Sequence, residues 1–396
     1  MTKKAVKQNI LVWLMYFAVF LNGFEAAGYQ TSLGNIGNEY ALSKAGMGVL
    51  ASVQLIAGLV SPFVFGPLAD RFGKRKLLGV FFALEIAACA VLILSRGYVL
   101  FGVGIFFIGL SVSTIQYIAI AALADLFPIS GGKKIGTVTG FYSFGAVAAP
   151  LVCGYYLNHN FSWKLLFILI GIAAAAEMAA VFSTDFSLQE STQQDSTAET
   201  INGAWHLSGL LLLCAVMFIY VGYENGFAFF VNSYISGVLK ISHSYLALSL
   251  FWLAMIPSRV ICGYLSRQNR LTLAAASIGA VIISLAVGLT KSGILAVILC
   301  FPLGFFCGAI YPSVLTRSID FSGGKTATAT GMITAATGFG GAFVTIITGV
   351  ISQHLGLQRA VLSLTVFLAA DIILAFILIV KRNPKSISGR TEAYTK

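Results

Sequence analysis

Residues 66–76 read GPLADRFGKRK. The stretch is short and strongly basic, with one acid, Asp70, against Arg71, Lys74, Arg75 and Lys76. Apolar runs flank it on both sides, roughly 46–69 and 77–95. About 20 mostly apolar residues suffice to cross hydrocarbon as a helix. The stretch therefore reads as a tight turn where the chain leaves a membrane and re-enters it. Gly66 and Gly73 suit such a turn, because glycine permits close approach and unusual backbone angles.

The same reading extends along the whole chain. Twelve apolar stretches appear, roughly 9–33, 46–69, 77–95, 98–125, 136–157, 163–182, 207–236, 245–265, 271–289, 293–317, 326–352 and 360–380. Of the 396 residues, 58% are hydrophobic and only 10% charged. Soluble domains carry about 25% charged residues, and disordered chains are poor in apolar ones. Both classes are excluded. The formal charge of +11 is no nucleic-acid signal, since the basic residues sit in short clusters between apolar runs. The six cysteines all lie inside apolar runs and show neither metal-ligand spacing nor a disulfide framework. The first span is too long for a signal peptide and is expected to stay attached.

Cationic residues favour cytosolic loops. With the N-terminus inside, the cytosolic segments hold 18 Lys and Arg and the outer loops 6, with Arg259 inside a span. Both termini are expected in the cytosol of a cell-membrane, multi-pass protein. Residues 183–205 are polar, rich in Ser and Thr, and hold four acids but no Lys or Arg. That is a linker composition. It divides the chain into an N-terminal six-helix bundle over 1–182, a cytosolic linker over 183–205, a C-terminal bundle over 206–380 and a cytosolic tail over 381–396.

The halves repeat. GYLSRQNR at 263–270 follows span eight as GPLADRFGKRK follows span two, with Gly66 and Gly263 197 residues apart. GGKKIGTVTG at 131–140 precedes span five, and SGGKTATATG at 322–331, 191 residues on, precedes span eleven. Two landmarks in polar loops recurring at nearly one spacing indicate duplicated six-helix units.

Twelve spans as six plus six, an acidic linker and GPLADRFGKRK together resemble the major facilitator superfamily of transporters. The fold expected is all-α and integral to the membrane, with twelve transmembrane helices in two pseudo-symmetric six-helix bundles. YVGYENGFAFFVNSYI (220–235), SLFWLAMIPSRVICGYLSR (249–267) and GAIYPSV (308–314) are similar to the fucose–galactose–glucose proton symporter branch. Ser258 stands where that branch usually has Gly before Arg259. The resemblance implies a cytosolic gate at Gly66, Asp70, Arg71, Gly73, Arg75 and Asp125. Asp70, at the cytosolic end of helix 2, would meet the N-terminus of helix 11, where a carboxylate gains up to about 2 kcal/mol. Arg75 is expected to pair with Asp125.

A charge at the centre of a bilayer costs at least about 2.5–3.5 kcal/mol, so each one calls for a reason. Glu25 follows Asn9 by 16 residues, about 24 Å along a helix. It lies in LNGFEAAGYQ, where Gly23 and Gly28 are expected to loosen the helix and leave room for substrate. Glu25 is the candidate for proton coupling, and the symporter branch has an acid in helix 1 that looks equivalent. Glu224, in GYENGF, is nearly its symmetry mate, 199 residues on. Arg259 lies about 21 Å into helix 8. Two readings follow: a charge pair with Glu224, or a bidentate anchor for an anionic substrate. Neutral sugars in the branch favour the pair. The branch also carries an acid in the middle of helix 4, where this chain has SVSTIQYIAI with Thr114 and Gln116. Glu85, Glu177 and Asp371 fall on helices 3, 6 and 12, read as outward-looking scaffold with packing or snorkelling acids.

In the superfamily, helices 1, 4, 7 and 10 line the cavity, flanked by 2, 5, 8 and 11. Polar and aromatic groups at mid-depth there are Tyr29, Gln54, Gln116, Tyr117, Tyr142, Asn225, Phe227, Asn232, Trp252 and Tyr311. Amides and flat rings suit a small neutral or zwitterionic solute. Neither a catalytic set nor a metal site is expected, nor a cofactor or nucleic-acid partner. The function expected is secondary active transport by a monomer in the lipid bilayer, proton-coupled uptake of a sugar or related small polar solute. A proton antiporter exporting a drug or metabolite is the alternative, suggested by Gly145, Pro150 and Gly154 in helix 5. A membrane receptor on a transporter scaffold is disfavoured, since only about 16 residues follow helix 12.

Overall fold

The computed structural model describes residues 3–126, 131–183, 206–268, 271–321 and 326–380. Hydrocarbon offers no hydrogen bonds, so a spanning backbone must satisfy its own, and helices do this along the segment. The described residues form twelve helices: α1 (Lys3–Glu39), α2 (Lys44–Phe72), α3 (Lys74–Leu94), α4 (Tyr98–Leu126), α5 (Gly131–Asn158), α6 (Lys164–Ser183), α7 (Leu207–Gly237), α8 (Tyr245–Gln268), α9 (Thr272–Leu289), α10 (Gly293–Phe321), α11 (Thr326–Leu355) and α12 (Leu357–Val380). Eleven are long and apolar enough to cross a membrane. In α8 the apolar part is the shorter stretch Tyr245–Arg259. Every expected span is a helix. Beyond Ser183 the expected linker lies outside the described residues, as does the tail. Arg317, expected at the cytosolic end of the tenth span, lies near the end of α10 and is buried.

Successive helices alternate in direction, so α1 begins and α12 ends on one side. We call that side the proximal end and the other the distal end. The outside of the protein is apolar: Trp13, Val80, Leu94, Ile172, Val366 and Ile373 are all exposed. A water-soluble protein would not present such a surface, and a bilayer covers it.

Glycines carry the repeat into three dimensions. A Cβ on Gly145 of α5 would sit 2.0 Å from the Phe20 carbonyl oxygen of α1. A Cβ on Gly340 of α11, 195 residues later, would sit 2.0 Å from the Phe218 oxygen of α7. Likewise a Cβ on Gly109 of α4 would clash with the Gln54 oxygen of α2, and one on Gly304 of α10 with the Phe251 oxygen of α8. Each half thus has the same two backbone-to-backbone crossings, which only glycine permits. Small residues let membrane helices pack this closely. Gly23 belongs to the same contact, its Cβ falling 2.0 Å from the Tyr142 oxygen, and Gly28 abuts Leu166. The expectation that these two leave space for substrate is therefore corrected: they are filled by neighbouring helices, and α1 runs unbroken past them.

The bundles meet mainly along α2 with α11 and α5 with α8. At the distal end this seam is tight. Gly48 and Gly349 stack backbone on backbone, and Ser52 Oγ donates to the Ala342 oxygen at 2.8 Å. Asn158 Nδ2 donates to the Ser242 oxygen at 3.2 Å, and Ser249 Oγ to the Val147 oxygen at 3.2 Å. Gly154 abuts the Tyr245 ring.

Candidate functional site

A cavity of about 680 Å³ lies between the bundles. Its wall takes one stripe from each of several helices. Ala26 and Gln30 come from α1, Gln54 and Gly58 from α2, and Val112, Ser113, Gln116 and Tyr117 from α4. Tyr142 of α5 completes the N-terminal side. Opposite stand Val221, Glu224, Asn225 and Phe229 of α7, Trp252 of α8, and Thr334 and Thr337 of α11. On α2, α5, α8 and α11 these residues lie on the proximal side of the seam contacts. The distal end is shut, and the cavity lies at mid-depth on the proximal side of that seal.

Six of the ten residues expected at the cavity are on its wall: Gln54, Gln116, Tyr117, Tyr142, Asn225 and Trp252. Four are not. Tyr29 is buried against Phe101 and Phe229, and Phe227 stacks on Tyr223 and meets Phe251. Tyr311 is half-buried on α10 away from the wall, and Asn232 lines a smaller pocket nearer the distal end. Helix rotation explains these corrections. The wall stripes step by four, Ala26 to Gln30 on α1 and Val221 to Asn225 to Phe229 on α7, and Tyr29 and Phe227 fall off them. Gln30, Ser113, Thr334 and Thr337 were missed. The repeat contained a signal for one of them: Thr337 is 195 residues after Tyr142.

Glu25 is fully buried and does not reach the wall. Gln54, which does, turns its amide back and donates from Nε2 to Glu25 Oε2 at 2.7 Å. Glu25 Oε1 has no partner. The carboxyl is thus one side chain removed from the cavity. Asn22, one turn earlier on α1, donates to the Val112 oxygen at 2.8 Å and ties α1 to α4 there. Thr114 turns away from the cavity to bond Ser61 of α2, leaving Ser113, Gln116 and Tyr117 as the polar groups of α4 on the wall.

Glu224 and Arg259 do not form an ion pair within 4 Å among the described contacts. Glu224 Oε2 accepts from Tyr220, one turn away, while the Arg259 guanidinium lies 3.7 Å from the Met255 sulfur. Helices α7 and α8 adjoin in sequence, but α7 packs chiefly on α11 and α12, and α8 on α10 and α5. Sequence adjacency was a poor guide to which side chains meet. Arg259 is also absent from the cavity wall, and no Lys or Arg stands there among the described residues.

Glu85, Glu177 and Asp371 correct another expectation. None looks outward; all three are buried, and both Asp371 oxygens lack partners. α3 packs on α6, with Gly171 against Cys89, which brings Glu85 and Glu177 to the same interface. Of the expected gate, Gly66, Asp70, Arg71 and Asp125 lie outside the residues whose surroundings the structure describes. Gly73 takes a positive φ of 88° between α2 and α3, as a tight turn requires. Arg75 donates to the Phe182 carbonyl oxygen of α6 at 2.7 Å.

Residues 15–334 match the family description of the Major Facilitator Superfamily. The chain belongs to that superfamily. It is a multi-pass membrane transporter and not an enzyme. Among curated relatives it is similar to Protein TsgA of Salmonella newport (strain SL254), 23% identical over 373 residues, covering 93% of this chain and 94% of the relative. Its fold resembles a bacterial homologue of the human lysosomal transporter Spinster in an inward-facing, occupied conformation. That match has a TM-score of 0.82 at 14% identity, over 96% of this chain and 98% of the other. The xylose transporter XylE from E. coli, partially occluded and inward open, matches with a TM-score of 0.74 at 13% identity, over 94% and 99%.

Proposed function

We propose that this transporter takes up a sugar or related small neutral polar solute together with a proton. The observation that carries the reading is the Gln54 bridge: one amide lines the cavity and holds the Glu25 carboxyl. A solute hydroxyl drawn to Gln54 competes with Glu25 for that amide. A hydrogen bond to a charged group is worth about 1.5–3 kcal/mol, so solute and proton sense each other through it. The wall supports a neutral solute. Amides (Gln30, Gln54, Gln116, Asn225) and rings (Tyr117, Tyr142, Trp252) dominate its polar and flat surfaces, and its charged group among the described residues is Glu224. An anion would meet that carboxylate without a facing cation. XylE carries xylose by its description, in keeping with this class of solute.

The bundles rock about the cavity, opening it to either side in turn. With both termini in the cytosol of a cell-membrane protein, the arrangement seen here faces inward. The expected unit is one chain. Direction follows from a solute panel in liposomes under an imposed pH gradient. Glu25→Gln is expected to lose gradient-driven accumulation while keeping exchange of labelled for unlabelled solute. Full accumulation by that variant refutes the role of Glu25, and accumulation driven the opposite way marks an exporting antiporter.

A further inference from the structure

A second, smaller pocket of about 90 Å³ lies in the distal seam, between α1, α5, α7 and α8. Its wall is polar, including Gln30, Asn35, Asn158, Asn232, Ser233 and Ser244. Two of its amides are buried without partners: both Asn232 side-chain atoms and Gln30 Oε1. Asn232 is 8% exposed and Gln30 5%. The neighbouring polar groups are occupied by their own helices or the seam. Thr31 donates to the Ala27 oxygen, Ser236 to the Asn232 oxygen and Asn158 to the Ser242 oxygen.

Buried polar groups are nearly always hydrogen-bonded, so an amide with both ends open marks a place where something else binds. At ~30 Å³ per water, the pocket has room for about three, and it opens to the surface at Asn35, Asn158 and Ser236. No charged side chain lines it. It accepts neutral polar groups, and an amide with a donor and an acceptor matches a hydroxyl, which is both. Gln30 lines this pocket and the central cavity. The pocket therefore stands on the route a solute takes from the distal side, with one side chain common to both chambers.

We propose that the Asn232 pocket is an outer subsite, where a small neutral hydroxylated solute entering from the distal side is first hydrogen-bonded before Gln30 passes it to the central cavity. It is water-filled when the distal end is shut and widens when the bundles part there. The proposal rests on the transport reading above for the class of solute.

The test uses Ser233→Cys, beside Gly34 in the pocket wall, in a full-length chain whose native cysteines are replaced. A membrane-impermeant thiol reagent is added on the distal side of sealed vesicles, with and without D-xylose, L-fucose, D-glucose or uridine. The expected result is modification that at least one of these solutes slows about threefold or more. Adding Asn232→Leu, or the milder Asn232→Ala, is expected to abolish that protection. Binding of the same solute to the central cavity, measured in detergent, is expected to stay within about twofold. No modification, no protection by any of the four, or protection unchanged by both Asn232 variants overturns the subsite. Gradient-driven uptake by the wild-type chain separates the two readings. Uptake without Asn232-dependent protection sinks the subsite alone, whereas protection without uptake sinks the transport reading alone.

Discussion

Gly48 offers a way to push the transporter out of its distally shut state. A Cβ there would lie 2.8 Å from the Thr345 carbonyl oxygen and 3.2 Å from the Gly349 Cα. Ordinary contact begins near 3.4 Å, so even alanine asks α2 and α11 to part by about 0.6 Å, from 2.8 to 3.4. Both opposing atoms are backbone and cannot swing aside. Overpacking of this kind costs about 1–3 kcal/mol. The contact joins the two bundles, so the cost falls on the distally shut state and vanishes once that end opens. At tenfold per 1.4 kcal/mol, Gly48→Ala should shift the balance toward the open state by about 5- to 150-fold. The assay is thiol labelling of Ala26→Cys, on the cavity wall, by an impermeant reagent supplied from the distal side. Reagent reaches it only when the distal end is open, so labelling should accelerate in the Gly48→Ala background. Gly145→Ala is the control. Its clash with Phe20 lies within one bundle, so it should lower Tm without a comparable change in labelling. Equal acceleration by both variants, or none by Gly48→Ala, refutes the assignment of that contact to the distal seal.

Ser52→Ala removes the bond to the Ala342 oxygen and should act in the same direction as Gly48→Ala but less, since one neutral hydrogen bond is worth about 0.5–1.5 kcal/mol; the same labelling rate checks it. Trp252 lines the cavity and its buried Nε1 is unpartnered, so Trp252→Phe keeps an aromatic face but removes a donor that solute would engage on binding. Solute affinity by equilibrium binding should fall about 3- to 10-fold, as one hydrogen bond allows. Asp371 is buried with both oxygens unpartnered, so Asp371→Leu should raise Tm of the purified protein; a fall of several degrees would mean that the carboxyl has a structural partner.

How far the sequence carried differs by level. Helix count and repeat were readable because hydrophobic length and loop charge are local properties of the chain. Depth was readable too: Gln54, Gln116, Asn225 and Trp252 line the cavity. Rotation was not. Tyr29 and Gln30 differ by one position, and the cavity wall took Gln30 while Tyr29 went into the bundle. Nothing in a span that is apolar all round states which face will meet which neighbour. The repeat would have helped, since the 195-residue offset maps Tyr142 onto Thr337. Pairing across helices was the least legible. Glu224 bonds a tyrosine on its own helix, and the buried acids of α3, α6 and α12 face inward because those helices present an inner face to their bundle as well as an outer one to lipid.

The chemistry of the distal seam fits a transporter's need to open and shut. The two states must lie within a few kcal/mol for both to be populated. The described seam is held by neutral contacts: Ser52 to Ala342, Asn158 to Ser242, Ser249 to Val147, and the Ala45 amide to Gln353 Oε1 at 3.3 Å. Each bond is exchanged for one to water when the end opens, so its net worth is only about 0.5–1.5 kcal/mol. The glycine crossings between bundles add close packing but no directional bond that must be broken at once. A buried ion pair would be different, because breaking one leaves charges that cost several kcal/mol until water reaches them. Glu25, Glu224 and Arg259 make none of these seam contacts. A change at Glu25 reaches the distal gate through Gln54, two residues from Ser52 on α2, and a change at Arg259 reaches it along α8, which carries Ser249, whereas Glu224 acts through the packing of α7 on α11.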